Sequence, residues 1–321
     1  MQIIRKLVAA CSMAAMAATA AATDYPSKPI RLIVPYPAGG LTDVMTRGIA
    51  QEVEKALGQT VVIENRGGAN GTLGAAAMAS ASPDGYLLAL APGGVFRQPY
   101  IQKTAFDPLK LTYVTSLFDY SYVVAVRGDS PWKTMADMVA TVQAKPDTLA
   151  YGSPGVFSTP HLVMDALGRM KGLTWAHIPY KGGADTVNAL MGGQVDAIIG
   201  GASGTLASLV KDGRIRVIAT MGENRTTDYP QAPTLKESGF ALSAVAPIGV
   251  VAPSGMDPAV VAKIDRAFSA ALNSTRVRDM SKQYGMPIVY LNPRDYTAYA
   301  QKTSATEKER MERLLAEGVR P

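Results

Sequence analysis

Along most of this chain, short apolar runs alternate with stretches in which apolar residues recur every three or four positions. Ile30 to Val34 reads as a buried strand. Met45, Ile49, Val53 and Leu57 then follow at helical spacing as far as Gly58, a residue suited to the left-handed backbone that ends a helix. Val61 to Glu64, Leu87 to Ala91, Leu149 to Gly152, Ala197 to Ile199, Val217 to Ala219 and Ile248 to Ala252 repeat the strand signal, with helical stretches between them. Strands alternating with helices predict an α/β protein whose sheets are rich in parallel strands and covered by helices on both faces. No repeat of fixed period is present, which argues against a solenoid.

Two apolar segments read as crossings between domains. Ser121 to Arg127 ends at Gly128-Asp129-Ser130-Pro131, and Pro247 to Ala252 ends at Pro253-Ser254-Gly255. A chain that leaves one domain at the first and returns at the second has two lobes joined by a two-strand hinge. Residues 23–122 with 248–321 then form the first lobe and residues 123–247 the second. Such a hinge closes on a ligand.

The first residues follow a different rule. Arg5 and Lys6 precede a small, apolar run from Leu7 to Ala22, and Ala20-Ala21-Ala22 offers the small side chains that a signal peptidase accepts. The run is shorter than the roughly 20 residues of a spanning helix, so residues 1–22 are expected to be a cleaved signal peptide and the mature protein periplasmic. Cleavage lowers the formal net charge from +6 to +4 and removes Cys11, the only cysteine. A chain of about 300 residues buries enough surface to fold without disulfides. Its positive charge forms no basic run, which speaks against a nucleic-acid partner.

Metal chemistry and nucleophilic catalysis have little to draw on. His161 and His177 are the only histidines, with no carboxylates at ligand spacing around them, and no Gly-x-Ser-x-Gly elbow is present. No metal or cofactor is expected. A hydrolase could use only Ser158 and His161, completed by a carboxylate such as Asp165.

The loops that follow strands carry more. Pro35-Tyr36-Pro37-Ala38-Gly39-Gly40-Leu41-Thr42-Asp43 joins the first strand to its helix, and its paired glycines let backbone N–H groups approach a guest where the helix dipole favours negative charge. This is an anion cradle without a cationic side chain, in which Asp43 reads as the helix N-cap. Gly67-Gly68-Ala69-Asn70-Gly71 repeats the arrangement after the second strand, with Asn70 as an added donor.

The first loop resembles one particular family, as do Ser82-Pro83-Asp84-Gly85-Tyr86, Tyr151-Gly152-Ser153-Pro154-Gly155 through Ser158-Thr159-Pro160-His161-Leu162, Pro179-Tyr180-Lys181-Gly182-Gly183 and Gly192-Gly193-Gln194-Val195-Asp196-Ala197. These motifs, in this order, are similar to those of the tripartite tricarboxylate transporter receptors, also called Bug receptors, and the similarity runs from Tyr25 to about Gly318. The resemblance implies a monomeric periplasmic binding protein of the Venus-flytrap, type II-like fold. It also implies no enzymatic activity, no cofactor, a small carboxylate ligand, and delivery to the membrane components of a secondary transporter. A sensor that reports to a membrane kinase could share the fold.

Carried onto this chain, the family's carboxylate site falls on Tyr36, Ala38, Gly39 and Gly40, with Asn70 beside them. Opposite are Ser153, Gly155, Ser158 and Thr159, with Tyr180 and Lys181 from the next loop, and Phe157, not part of the family pattern, is a further candidate beside the ligand. Thr159-Pro160 resembles an N-cap followed by a first-turn proline. Phe157 stands where the family commonly has glycine, Asp185 where proline is frequent, Gly200-Gly201 where bulkier residues are, and Ala244-Val245-Ala246 lacks a common aromatic. These departures point to a reshaped pocket, for which an aromatic dicarboxylate is one candidate. The Phe157 ring could equally pack into the core.

Overall fold

In the computed structural model, residues 25–180, 183–201, 204–226 and 228–319 are described. The expected signal peptide, Lys181 and Gly182 lie outside them. Ten strands form two sheets of five.

The first sheet takes β1 (Ile30–Val34), β2 (Val61–Asn65), β3 (Leu87–Ala91), β4 (Thr112–Phe118) and β10 (Ile248–Ala252), in the order β2-β1-β3-β10-β4. The second takes β5 (Tyr122–Arg127), β6 (Ala150–Ser153), β7 (Ala176–Pro179), β8 (Ala197–Gly201) and β9 (Ile215–Thr220), in the order β7-β6-β8-β5-β9. Three neighbouring strands of each sheet are parallel, as alternating strands and helices require. The fourth strand of each sheet runs the other way: β10 is antiparallel to β3 and β4, and β5 to β8 and β9. These are the two strands that follow the crossings. A strand entered from the other sheet, without a helical crossover, can start at the opposite end.

Helices cover the sheets: α1 (Leu41–Leu57), α2 (Leu73–Met78), α3 (Gly94–Ile101), α4 (Met135–Ala144), α5 (Thr159–Lys171), α6 (Gly183–Met191), α7 (Gly204–Lys211), α8 (Pro258–Asn273), α9 (Thr275–Gln283) and α10 (Pro293–Ala316). The stripe of Met45, Ile49 and Val53 on α1 is fully buried against Leu32, Val34 and Phe268. Burying each such side chain contributes about 1.5–3 kcal/mol. Gly58 closes the helix in the left-handed conformation, its N–H bonded to the Glu54 carbonyl at 2.8 Å. Separate apolar clusters fill the two faces of the second sheet, one around Val124, Tyr151 and Ile199 and one around Val123, Leu190 and Ile198.

The long C-terminal helix α10 reaches across both halves. Tyr296 packs on the first sheet beside Phe96 and Tyr113, while Met311 and Leu314 near its end meet Phe157 and Leu162 of the second. An ion pair between Arg169 of α5 and Glu317 continues that contact.

Candidate ligand site between the two sheets

The first glycine loop is built around a buried carboxylate. Gly40, not Asp43, is the N-cap of α1, and it has ordinary extended angles (φ −72°, ψ 164°). The left-handed demand falls on Gly39, with φ 80°. Asp43 lies one turn inside, 2 % exposed, and accepts from the Gly39 N–H at 2.9 Å, from Arg47 at 3.0 Å and from Asn65 at 2.9 Å. Burial alone would raise the Asp43 pKa, but these three donors hold it below the usual carboxylate range. Asp43 therefore shapes the loop and consumes the Gly39 N–H. Ala38, Gly39 and Gly40 remain exposed.

Tyr36 is half-buried at the base of this loop. Its hydroxyl lies near that of Tyr120, which makes a short hydrogen bond to Thr42. The Tyr122 hydroxyl lies near Thr159. Burial pushes the Tyr36 pKa up to about 12 and those of Tyr120 and Tyr122 higher still, so all three stay neutral donors and acceptors. Tyr120 and Tyr122 flank the first crossing between the sheets.

Asn70 is exposed in a left-handed turn (φ 53°, ψ 32°) that follows β2, and its Nδ2 donates to Gln98 Oε1 at 3.2 Å. Across from it, Gly155 has φ 125°. A Cβ on Gly155 would lie 3.9 Å from Asn70 Oδ1, so the loops of the two sheets face each other at close range.

The second loop is held from within. Ser158 is the N-cap of α5, ahead of Thr159, and its Oγ accepts from the His161 N–H at 3.4 Å. His161 Nδ1 accepts from the Phe157 N–H at 2.9 Å, and its ring stacks on His177 with centroids 3.9 Å apart. Burial, then the neighbouring His161, lowers the His177 pKa to about 4, and burial lowers that of His161 as well. Ser153 is fully buried, its Oγ 2.7 Å from His177 Nε2 and 3.1 Å from the Gly155 carbonyl. Ser158 is spent as a cap, and His161 Nδ1 is already an acceptor for the Phe157 N–H.

Phe157 has φ 56° and is 3 % exposed. Its ring is packed with Leu162, Met311 and Leu314, and does not lie open beside Asn70 and Gly155. Tyr180 is half-buried, its N–H bonded to the Ser153 carbonyl at 2.8 Å, and its ring would lie 3.0 Å from a Cβ on Gly152. Lys181 falls outside the described residues.

One residue absent from the sequence expectations stands between the loops. Arg97 of α3, 6 % exposed, donates from Nη1 to the Phe157 carbonyl at 3.3 Å and from Nη2 to Thr159 Oγ1 at 3.0 Å. Its Nε sits 3.1 Å from Glu307 Oε2, an ion-pair contact not aligned as a hydrogen bond, and Glu307 also takes Arg310 at 3.0 Å. The available signal was Gly93-Gly94 directly after β3, a third glycine pair at a strand-to-helix junction. Two surface grooves lie elsewhere, one between α1 and α9 and the other between β4 and α8, and neither includes a residue of the glycine loops. Among the described residues no group of histidine, cysteine or carboxylate side chains could hold a metal ion, and no helix is long and apolar enough to cross a membrane.

Residues 45–315 match the sequence pattern of the tripartite tricarboxylate transporter family receptors. The chain belongs to this family. A Cupriavidus necator protein from the gbd 5' region is 41 % identical over 312 residues, covering 97 % of this chain and 95 % of its own length. Among solved structures, one described as a periplasmic transporter has a TM-score of 0.82 at 29 % identity, covering 92 % of this chain and 99 % of that one. MatC of Rhodopseudomonas palustris, solved with malate, has a TM-score of 0.77 at 26 % identity over 89 % of this chain and all of its own. Another protein of that organism, solved with adipate, has a TM-score of 0.80 at 25 % identity over 89 % and 97 % of the two chains. A tripartite tricarboxylate transporter receptor is a solute-binding protein and not an enzyme, in agreement with the occupied state of Ser158 and His161.

Proposed function

We propose that this receptor captures a small dicarboxylate, aliphatic or aromatic, between its two lobes in the periplasm and delivers it to the membrane components of a tripartite tricarboxylate-type transporter. The observation that carries the reading is the approach of Asn70 to Gly155, which brings glycine loops from the two sheets face to face, with Arg97 bonded to the second of them. The exposed backbone of Ala38, Gly39 and Gly40 at the start of α1, with neutral tyrosine hydroxyls behind it, favours an anionic guest over an amine. The malate and adipate of the solved relatives support the ligand class.

In this reading Tyr36, Ala38, Gly39, Gly40 and Asn70 approach the ligand from one lobe. Gly155, Ser158, Thr159 and Lys181 approach it from the other, with Ser153 and Tyr180 supporting their loop from behind. The lobes, residues 23–122 with 248–321 and residues 123–247, close as the carboxylate is shared. A thermal-shift screen of aliphatic and aromatic dicarboxylates against sugars and amines tests this. A cognate acid at a hundred times its dissociation constant should stabilise the protein by about 2.7 kcal/mol. Shifts with sugars or amines alone would overturn the carboxylate assignment.

A further inference from the structure

Arg97 and Gln98 are consecutive in α3, yet they reach opposite loops. Gln98 Oε1 accepts from Asn70, on the loop after β2, while Arg97 donates to Phe157 and Thr159, on the loop after β6. Both residues are buried, each 6 % exposed. The helix start is pressed against the first of these loops, since a Cβ on Gly94 would lie 2.1 Å from the Asn70 carbonyl oxygen. A short, buried helix thus spans the distance between the loops.

The loop after β6 needs such support. Phe157 is a bulky residue at φ 56°, a conformation that persists only where surrounding contacts enforce it. Its N–H is tied to His161 and its carbonyl to Arg97. The guanidinium is oriented by Glu307 on α10, so its fork presents one nitrogen to the Phe157 carbonyl and the other to Thr159.

We propose that Arg97 is a positioning residue that sets the loop of residues 153–159 at a fixed distance from Asn70, and that this distance selects the ligand by length. The length selection rests on the dicarboxylate reading above; the positioning does not. A guest held at both ends between two loops fits only where its span matches their spacing. Changing the spacing therefore changes which acid fits best, beyond weakening all of them.

The test uses Arg97→Lys, which keeps a positive charge beside Glu307 but cannot present two fixed donors, and Gln98→Leu, which cuts the other strut. Amide hydrogen exchange of the ligand-free proteins and titration with straight-chain diacids from succinate to suberate are measured together. In Arg97→Lys, exchange at residues 155–159 should quicken about tenfold, as expected for losing a charge-assisted hydrogen bond, with β5, β8 and β9 unchanged. In both variants the ratio of succinate to adipate affinity should move severalfold. Unchanged exchange at residues 155–159 would overturn the positioning. Equal weakening for every diacid would overturn the length selection. If the unaltered protein binds no diacid, the receptor reading and the length selection fail together, and the exchange data still decide whether Arg97 holds the loop.

Discussion

The carboxylate of Asp119 accepts from the backbone N–H of Ala246 at 2.8 Å, joining the two segments by which the chain passes between its sheets. Asp119 precedes β5 and Ala246 precedes β10, so one buried side chain ties both crossings at the same level. The carboxylate also accepts from the N–H of Tyr120 at 2.7 Å. Two N–H donors do not offset its burial, which pushes the Asp119 pKa up to about 6.

This residue and His177 should give stability opposing pH dependences in one window. A pKa raised in the folded state contributes stability that is present below the unfolded value of 3.8 and is lost as pH rises through about 6. The lowered pKa of His177 acts the other way, with stability present above 6.5 and lost as pH falls toward about 4. Denaturant unfolding between these limits should therefore be nearly flat for the unaltered protein. It should rise more steeply with pH in Asp119→Asn, and fall with pH in His177→Gln. Parallel profiles for all three proteins would refute the assignment.

Gly40→Val should weaken binding strongly while largely sparing the fold. Gly40 is exposed at an extended φ of −72°, which valine adopts freely, and the nearest atom to an added Cβ is the Pro37 carbonyl oxygen at 3.3 Å. A melting temperature close to that of the parent, with at least a tenfold loss of affinity, is expected, equivalent to about 1.4 kcal/mol. Unchanged calorimetric affinity would remove this loop from the site.

Gly94→Ala should damage both stability and binding. The added Cβ would sit 2.1 Å from the Asn70 carbonyl oxygen, so the backbone of the Asn70 turn must move. Overpacking of this kind costs about 1–3 kcal/mol. The check is a lowered melting temperature together with weaker ligand binding, whereas Gly200→Ala, where a Cβ meets nothing within 4 Å, should alter stability little.

Phe157→Ala should behave as a core mutation. Its ring is closed in with Met311 and Leu314, so removal leaves a cavity and costs about 3–5 kcal/mol. Aromatic and aliphatic acids should weaken by similar factors, through loosening of the Gly155 loop. A selective loss for aromatic acids, with stability intact, would restore a direct contact between ring and ligand.

Much of this architecture is local and could be read from the chain. The strand at Ile30–Val34, the buried stripe of α1 and its stop at Gly58 follow from apolar spacing and from one residue's freedom at positive φ. The glycine-rich loops were legible too, because Gly39, Gly68 and Gly155 take positive φ that other residues disfavour. Other features depend on partners far apart in sequence. The reversed direction of β5 and β10 is set by where the chain enters each sheet. The left-handed backbone of Phe157, a residue that disfavours it, is held by His161, Arg97 and the end of α10. Arg97 looks in sequence like any surface cation on a short helix. Its partners lie 60, 62 and 210 residues away, and only the packing of α10 across both sheets buries it among them. Local propensity decided which elements form, and tertiary burial decided which polar side chains those elements must satisfy.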